Sequence, residues 1–232
     1  AIFTVLTVVS VLAGGIFEIV PLVMTGQEDL RTTQNTPYTP LELEGRDVYI
    51  AEGCYTCHSQ MIRPFTWETA RYGRASEADD SIFDHPFQWG SKRNGPDLAR
   101  EGGRRSDHWH AEHMVDPRRI TPGSIMPSYA HLAQEPVDFR ATADKLRAMR
   151  TVGVPYTPEQ IAGAERDAAS AAEAICDSVR ASGGAELEPN TKLVALIAYL
   201  QRLGANDAPS ASPPSTPALD RATAHISRAT ER

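Results

Sequence analysis

Cys54-Tyr55-Thr56-Cys57-His58 is the stretch from which the rest of the chain can be read. A C-x-x-C-H run is the attachment signature of a c-type haem. The spacing follows from the chemistry. Two thiols three positions apart can form thioethers with the two vinyl groups on one porphyrin edge, and the next imidazole can turn under the iron as the proximal ligand. A thioredoxin-like redox pair also shows C-x-x-C, but it does not need the adjoining histidine. A zinc knuckle would want a second pair of ligands, and the one other cysteine, Cys176, stands apart. These residues predict one covalently attached haem c, with Cys54 and Cys57 as the attachment points and His58 as an iron ligand.

Immediately upstream, a helix is expected from Thr39 or Pro40 through Leu41, Leu43, Val48, Tyr49 and Ile50, ending at Gly53. Before it, residues 25–40 are polar with two prolines and read as a linker. Residues 1–24 are apolar except for Thr4, Thr7, Ser10 and Glu18. As a helix they span about 36 Å, enough to cross a hydrocarbon core of about 30 Å. A cleaved signal peptide would have a shorter apolar core and a small-residue cleavage site, and Pro21-Leu22-Val23-Met24-Thr25 is a poor one. An uncleaved transmembrane anchor is expected, single-pass, with Pro21 ending or kinking it. Gly14-Gly15 permits close helix–helix approach. Glu18 is an ionisable group in the apolar run, expected to face protein or water, or else to snorkel at the outer interface.

Downstream, residues 61–93 have few periodic apolar positions and read as a long structured loop. Asn94-Gly95-Pro96-Asp97-Leu98 follows, then a short helix from Ser106 or Asp107 to about Val115. That helix carries His108, His110 and His113; a surface or haem-rim role suits them better than a second metal, since no carboxylate or cysteine completes a site. Amphipathic helices are expected at about 136–150, 158–181 and 190–203, the last closed by Gly204. Residues 205–232 are rich in Ala, Ser, Pro and Thr and cannot bury a core; if ordered, they would lie on another subunit. The expected domains are an anchor at 1–24, a linker at 25–40, a mono-haem domain at 41–204 and a tail at 205–232.

Charge excludes one class of partner. Residues 61–120 carry ten acids and ten bases, and the whole chain is −7, so no basic stripe for nucleic acid exists. Haem attachment of this type belongs outside the cytoplasm, which places the folded domain in the periplasm or an equivalent compartment.

Four methionines besides Met24 could supply the sixth iron ligand. Met61 is three residues past His58 on the proximal side. Met114 is on the His-rich helix, and Met149 is on a helix where a thioether more often fills core. Met126 lies in a Pro-bracketed loop at 121–130, ahead of the last helix, and is the expected ligand. His/Met ligation keeps the reduction potential high and leaves no open position, which suits electron transfer and opposes substrate chemistry.

The succession of helix, CYTCH, NGPDL, SIMPSY and a closing LVALIAYLQRLG resembles a class I cytochrome c domain. The membrane anchor together with FDHPFQWGSKRNGPDLAR resembles more specifically the mono-haem cytochrome c subunit of cbb3-type cytochrome c oxidases, from about Gly14 to Leu203. The resemblance implies an all-α fold: one transmembrane helix and a class I cytochrome c-like domain with long inserted loops. It implies that the Pro96 carbonyl accepts a hydrogen bond from the second ring nitrogen of His58. It also implies a place on the periplasmic side of a bacterial inner membrane. There the chain would relay electrons to a catalytic subunit carrying b-type haems and copper, with a di-haem cytochrome c subunit and membrane lipid as neighbours. Oxygen chemistry would not occur on this chain. A free membrane-tethered cytochrome c that shuttles between partners is the alternative.

Overall fold

Apolar residues at helical spacing on either side of the haem-binding motif make two helices whose buried faces need one another. The computed structural model describes residues 1–32, 35–90 and 92–204, with side chains for all of these except 22 and 25–32. α2 (Pro40–Ala51) begins where the Thr39 N–H donates to Glu42 Oε2 at 2.7 Å, a carboxylate of the first turn taking an orphan donor. α8 (Lys192–Arg202) buries Leu193, Val194, Leu196, Ile197, Tyr199 and Leu200. The two helices meet backbone to backbone at Gly45, where a Cβ would lie 1.9 Å from the Ala195 carbonyl oxygen, so only glycine fits. The Tyr49 and Tyr199 rings pack beside this contact with centroids 5.3 Å apart.

The remaining helices close around that pair. α7 (Pro158–Ala181) turns Ala164, Ala168, Ala172, Cys176 and Val179 inward at helical spacing. Ala168, Ala172 and Cys176 pack with Leu41 of α2 and with Val194, Ala195 and Ala198 of α8. Cys176 is thus a small hydrophobe in a tight apolar seam. α6 (Thr142–Thr151) is fastened to α2 through Glu44, whose carboxylate accepts from Thr142 Oγ1 and Lys145 Nζ, both at 2.6 Å. The helix expected from about 136 starts only at Thr142, because Pro136 bridges to Thr191 and a short 3-10 turn fills 139–141. α4 (Asp107–Val115) is capped by Ser106 Oγ accepting from the Trp109 N–H, and α5 (Pro117–Ile120) follows. Among the described residues there is no strand, only that isolated bridge, so the all-α class stands.

Two expectations need correction. The stretch at 61–93 is not all loop: it holds α3 (Thr66–Tyr72) and a 3-10 turn at Ala78–Ser81. α3 is short and has no apolar period to announce it; ion pairs and aromatic contacts hold it. The linker expected over 25–40 is also shorter. α1 (Ile2–Thr32) runs through Pro21 and past residue 24. A proline removes one backbone hydrogen bond and bends a helix without necessarily ending it.

Within α1 the span Ile2–Pro21 has a mean hydropathy of 2.2 and is unburied, long and apolar enough to cross a membrane. Beyond the neighbouring residues and backbone of α1 itself, nothing in the described chain lies within 4 Å of a Cβ placed at Gly14 or Gly15. Beyond α1 the chain is tied down again at Asn35, whose Nδ2 donates to the Asp79 carbonyl at 2.6 Å and to its carboxylate at 3.0 Å. The tail expectation for 205–232 lies outside the described residues.

Candidate haem site

The motif leaves α2 on a single 3-10 turn, Cys54–Thr56, so the two thiols and the imidazole are presented within five residues. Neither Cys54 nor Cys57 is in a disulfide. Burial, and after it the Glu52 carboxylate, push the Cys54 thiol up to about 12, which keeps it protonated until a reaction partner arrives. Cys54 is partly buried against the main apolar cluster of the domain.

The turn at Asn94–Leu98 lies directly on this segment. The Gly95 N–H donates to the Cys57 carbonyl at 3.1 Å and the Leu98 N–H to the Ser59 carbonyl at 2.9 Å. His58 Nδ1 is 2.8 Å from the Pro96 carbonyl oxygen, which can only accept, so Nδ1 carries the proton. Gly95 is the cradle of the ring: a Cβ there would stand 2.2 Å from His58 Cε1. Burial pulls the imidazole below its usual range, against the opposing pull of the Pro96 contact and of the Asp97 carboxylate. The ring is therefore neutral, oriented, and left with Nε2 unpartnered among the described residues, which is the form that binds a metal. Two unbridged thiols followed by such an imidazole fit a haem attached along one edge.

Met126 comes from a separate loop laid over the end of α4. The Tyr129 N–H donates to the Met114 carbonyl at 2.8 Å, Ser128 Oγ to the Val115 carbonyl at 2.6 Å, and the Met126 N–H to Ser124 Oγ at 3.2 Å. Met126 is partly buried against the same apolar cluster as Cys54, and Tyr129 is within electrostatic reach of both thiols. Met114 is buried core and Met149 packs against that core. The structure thus brings Cys54, Cys57, His58 and Pro96 into one contact set, while Met126, on its own loop, packs against the same apolar cluster as Cys54.

The α4 histidines divide. His110 is 1% exposed, so a surface role does not apply to it, and burial pulls its imidazole down to about 4. His113 stacks on Trp109 with centroids 4.5 Å apart and lies within electrostatic reach of His58. Nδ1 of His108, His110 and His113 is buried without a hydrogen-bond partner among the described residues. Among the described residues no group of three or more His, Cys, Asp or Glu is placed to hold a metal ion.

Sequence reading missed an ionic cluster behind the proximal turn. Glu68 of α3 and Asp97 are fully shielded and both bind Arg93. Residues 68 and 93 are 25 positions apart with no periodicity linking them, so spacing alone gave no signal.

Comparison with known families gives a match over residues 1–206 to the family described as cytochrome C oxidase, mono-heme subunit/FixO. Comparison with curated proteins gives no match.

Proposed function

This chain belongs to the FixO family of mono-haem cytochrome c oxidase subunits, and from that premise we propose that it is the oxidase's electron relay. As a member of that family it carries one haem and is part of a cytochrome c oxidase. In our reading the haem is held by thioethers from Cys54 and Cys57 and ligated by His58 and Met126, with the Pro96 carbonyl fixing the His58 ring. Once bound, it supplies a one-electron ferric/ferrous couple. The chain's own residues would hold that couple and orient it: His58 and Met126 would supply the iron's two protein ligands, an arrangement that suits electron transfer rather than oxygen reduction on this chain.

The observation that carries this reading is the His58 ring, pinned by Pro96 and Gly95 with Nε2 free, directly after two thiols. Electrons would pass to a catalytic subunit carrying b-type haems and copper, with a di-haem cytochrome c subunit beside it. α1 would anchor the chain in a bacterial inner membrane with the haem domain on the periplasmic side. Two measurements test this. Cys57→Ala should lose covalent haem on a haem-stained denaturing gel; full retention would overturn the attachment. Native electrophoresis of mildly solubilised membranes should place the chain in one complex with b-haems and copper. Migration as a free cytochrome would favour the tethered shuttle.

A further inference from the structure

The ionic cluster behind the proximal turn is more elaborate than attachment of a haem requires. Arg93 Nη2 donates to Glu68 Oε2 at 2.7 Å, to Asp97 Oδ2 at 3.0 Å and to the Met61 carbonyl at 2.7 Å, and its Nε donates to Asp97 Oδ2 at 3.1 Å. Its guanidinium carbon also lies 5.3 Å from the centre of the Tyr72 ring. Glu68 accepts from the Arg63 N–H at 2.9 Å and from Arg63 Nε at 2.5 Å. Asp97 accepts from the N–H groups of Ala99 at 2.9 Å and Met61 at 3.3 Å. Two acids and two guanidiniums thus close on one another, and both acid side chains are 0% exposed.

Position gives this cluster its meaning. Asp97 directly follows Pro96, the residue that orients His58, and its charge is felt by the His58 ring. Arg93 sits between that acid and the one on α3. A charge buried beside the proximal ligand acts through low dielectric, where screening by water and salt is weak. A fully shielded acid left without its partner is costly, which explains why every oxygen here is bonded. The hydrogen bonds from Arg93 and then Arg63 hold Glu68 down to about 2, so it remains an anion at any physiological pH.

We propose that Glu68, Arg93 and Asp97 are positioning residues for the proximal ligand and that the charges of the buried acids and of the partly buried Arg93 tune the haem's reduction potential. Arg93 disfavours the ferric state and so raises the potential. Glu68 lowers it. This rests on the reading that His58 ligates the haem iron.

The test is a redox titration of the full-length chain in its membrane complex, following haem absorbance, for Arg93→Gln, Glu68→Gln and Arg93→Lys. Haem staining is checked first in each variant. At a fixed ambient potential Arg93→Gln should raise the oxidised-to-reduced ratio by up to about fifteenfold, the effect of one charge over roughly 10 Å at an effective dielectric of about 20. Glu68→Gln should lower that ratio several-fold. Arg93→Lys, which keeps the charge but not the fork, should stay within about twofold of the parent. Opposed shifts support the proposal, because loosened packing alone would move both variants the same way. Shifts of one sign, or no shift in Glu68→Gln, with haem attached, overturn it. If Arg93→Gln does not accumulate, Glu68→Gln decides alone: a move toward the reduced form supports, and none or the reverse overturns. Failure of the haem reading would show earlier and separately, as a parent chain without covalent haem.

Discussion

The two loops that flank the haem motif are built on different principles. The proximal turn, 94–98, is fixed several times over: by backbone bonds to Cys57 and Ser59, by the Pro96 contact, by the Gly95 cradle, and by the Glu68–Arg93–Asp97 cluster. The loop carrying Met126 rests on two hydrogen bonds to the end of α4 and three local ones within itself, with Ile125 81% exposed at its tip. The difference teaches where each proposed ligand's reliability would come from. His58 is set by its surroundings before any haem arrives. Met126 depends on the bond it is proposed to make.

The largest effect should come from breaking the tighter side. Gly95→Ala puts a methyl group into the His58 ring, and overpacking of this kind costs about 1–3 kcal/mol where nothing can move aside. Here the ring must move, and with it the ligand nitrogen. We expect a several-fold fall in the ratio of haem-stained to total chain; unchanged loading would mean that the cradle is slack. Next comes Met126→Ala, which should keep the haem covalently attached, lower its midpoint potential and admit carbon monoxide. If Met114→Ala or Met149→Ala gave that phenotype and Met126→Ala did not, the ligand has been misassigned.

The smallest effect belongs to Ser128→Ala. It removes two hydrogen bonds of the Met126 loop, the one Ser128 Oγ donates to the Val115 carbonyl and the longer one it accepts from the Ala130 N–H, together a contribution of about 1–2 kcal/mol. Carbon monoxide should bind faster, with staining and potential nearly unchanged. A loss as large as that of Met126→Ala would show that this loop is as rigidly braced as the proximal turn, and the contrast would collapse.

Much of this molecule was legible from residues alone, for identifiable reasons. α2, α7 and α8 announced themselves because their buried faces repeat at helical spacing. The haem motif was legible because chemistry fixes its five positions, and the resemblance supplied the place of Pro96. What stayed hidden was held by long-range pairing. α3 has no apolar period, and the Glu68–Arg93 contact spans 25 positions. The end of α1 was misplaced because a proline and a polar composition suggested a break that the backbone does not make. The interior position of His110 was equally invisible, since a histidine pattern on a helix does not say which side is packed.

The continuation of α1 past Pro21 has a mechanical consequence. Eleven further residues of helix make a strut of about 16 Å. From its end at Thr32 the chain reaches the anchored Asn35 in three residues, so the slack cannot exceed about 11 Å. A cytochrome on such a mount has little room to diffuse. In the proposed reading its redox centre would be carried at a set height above the bilayer and confined to a small patch of the surface. Any donor outside that patch must travel to it.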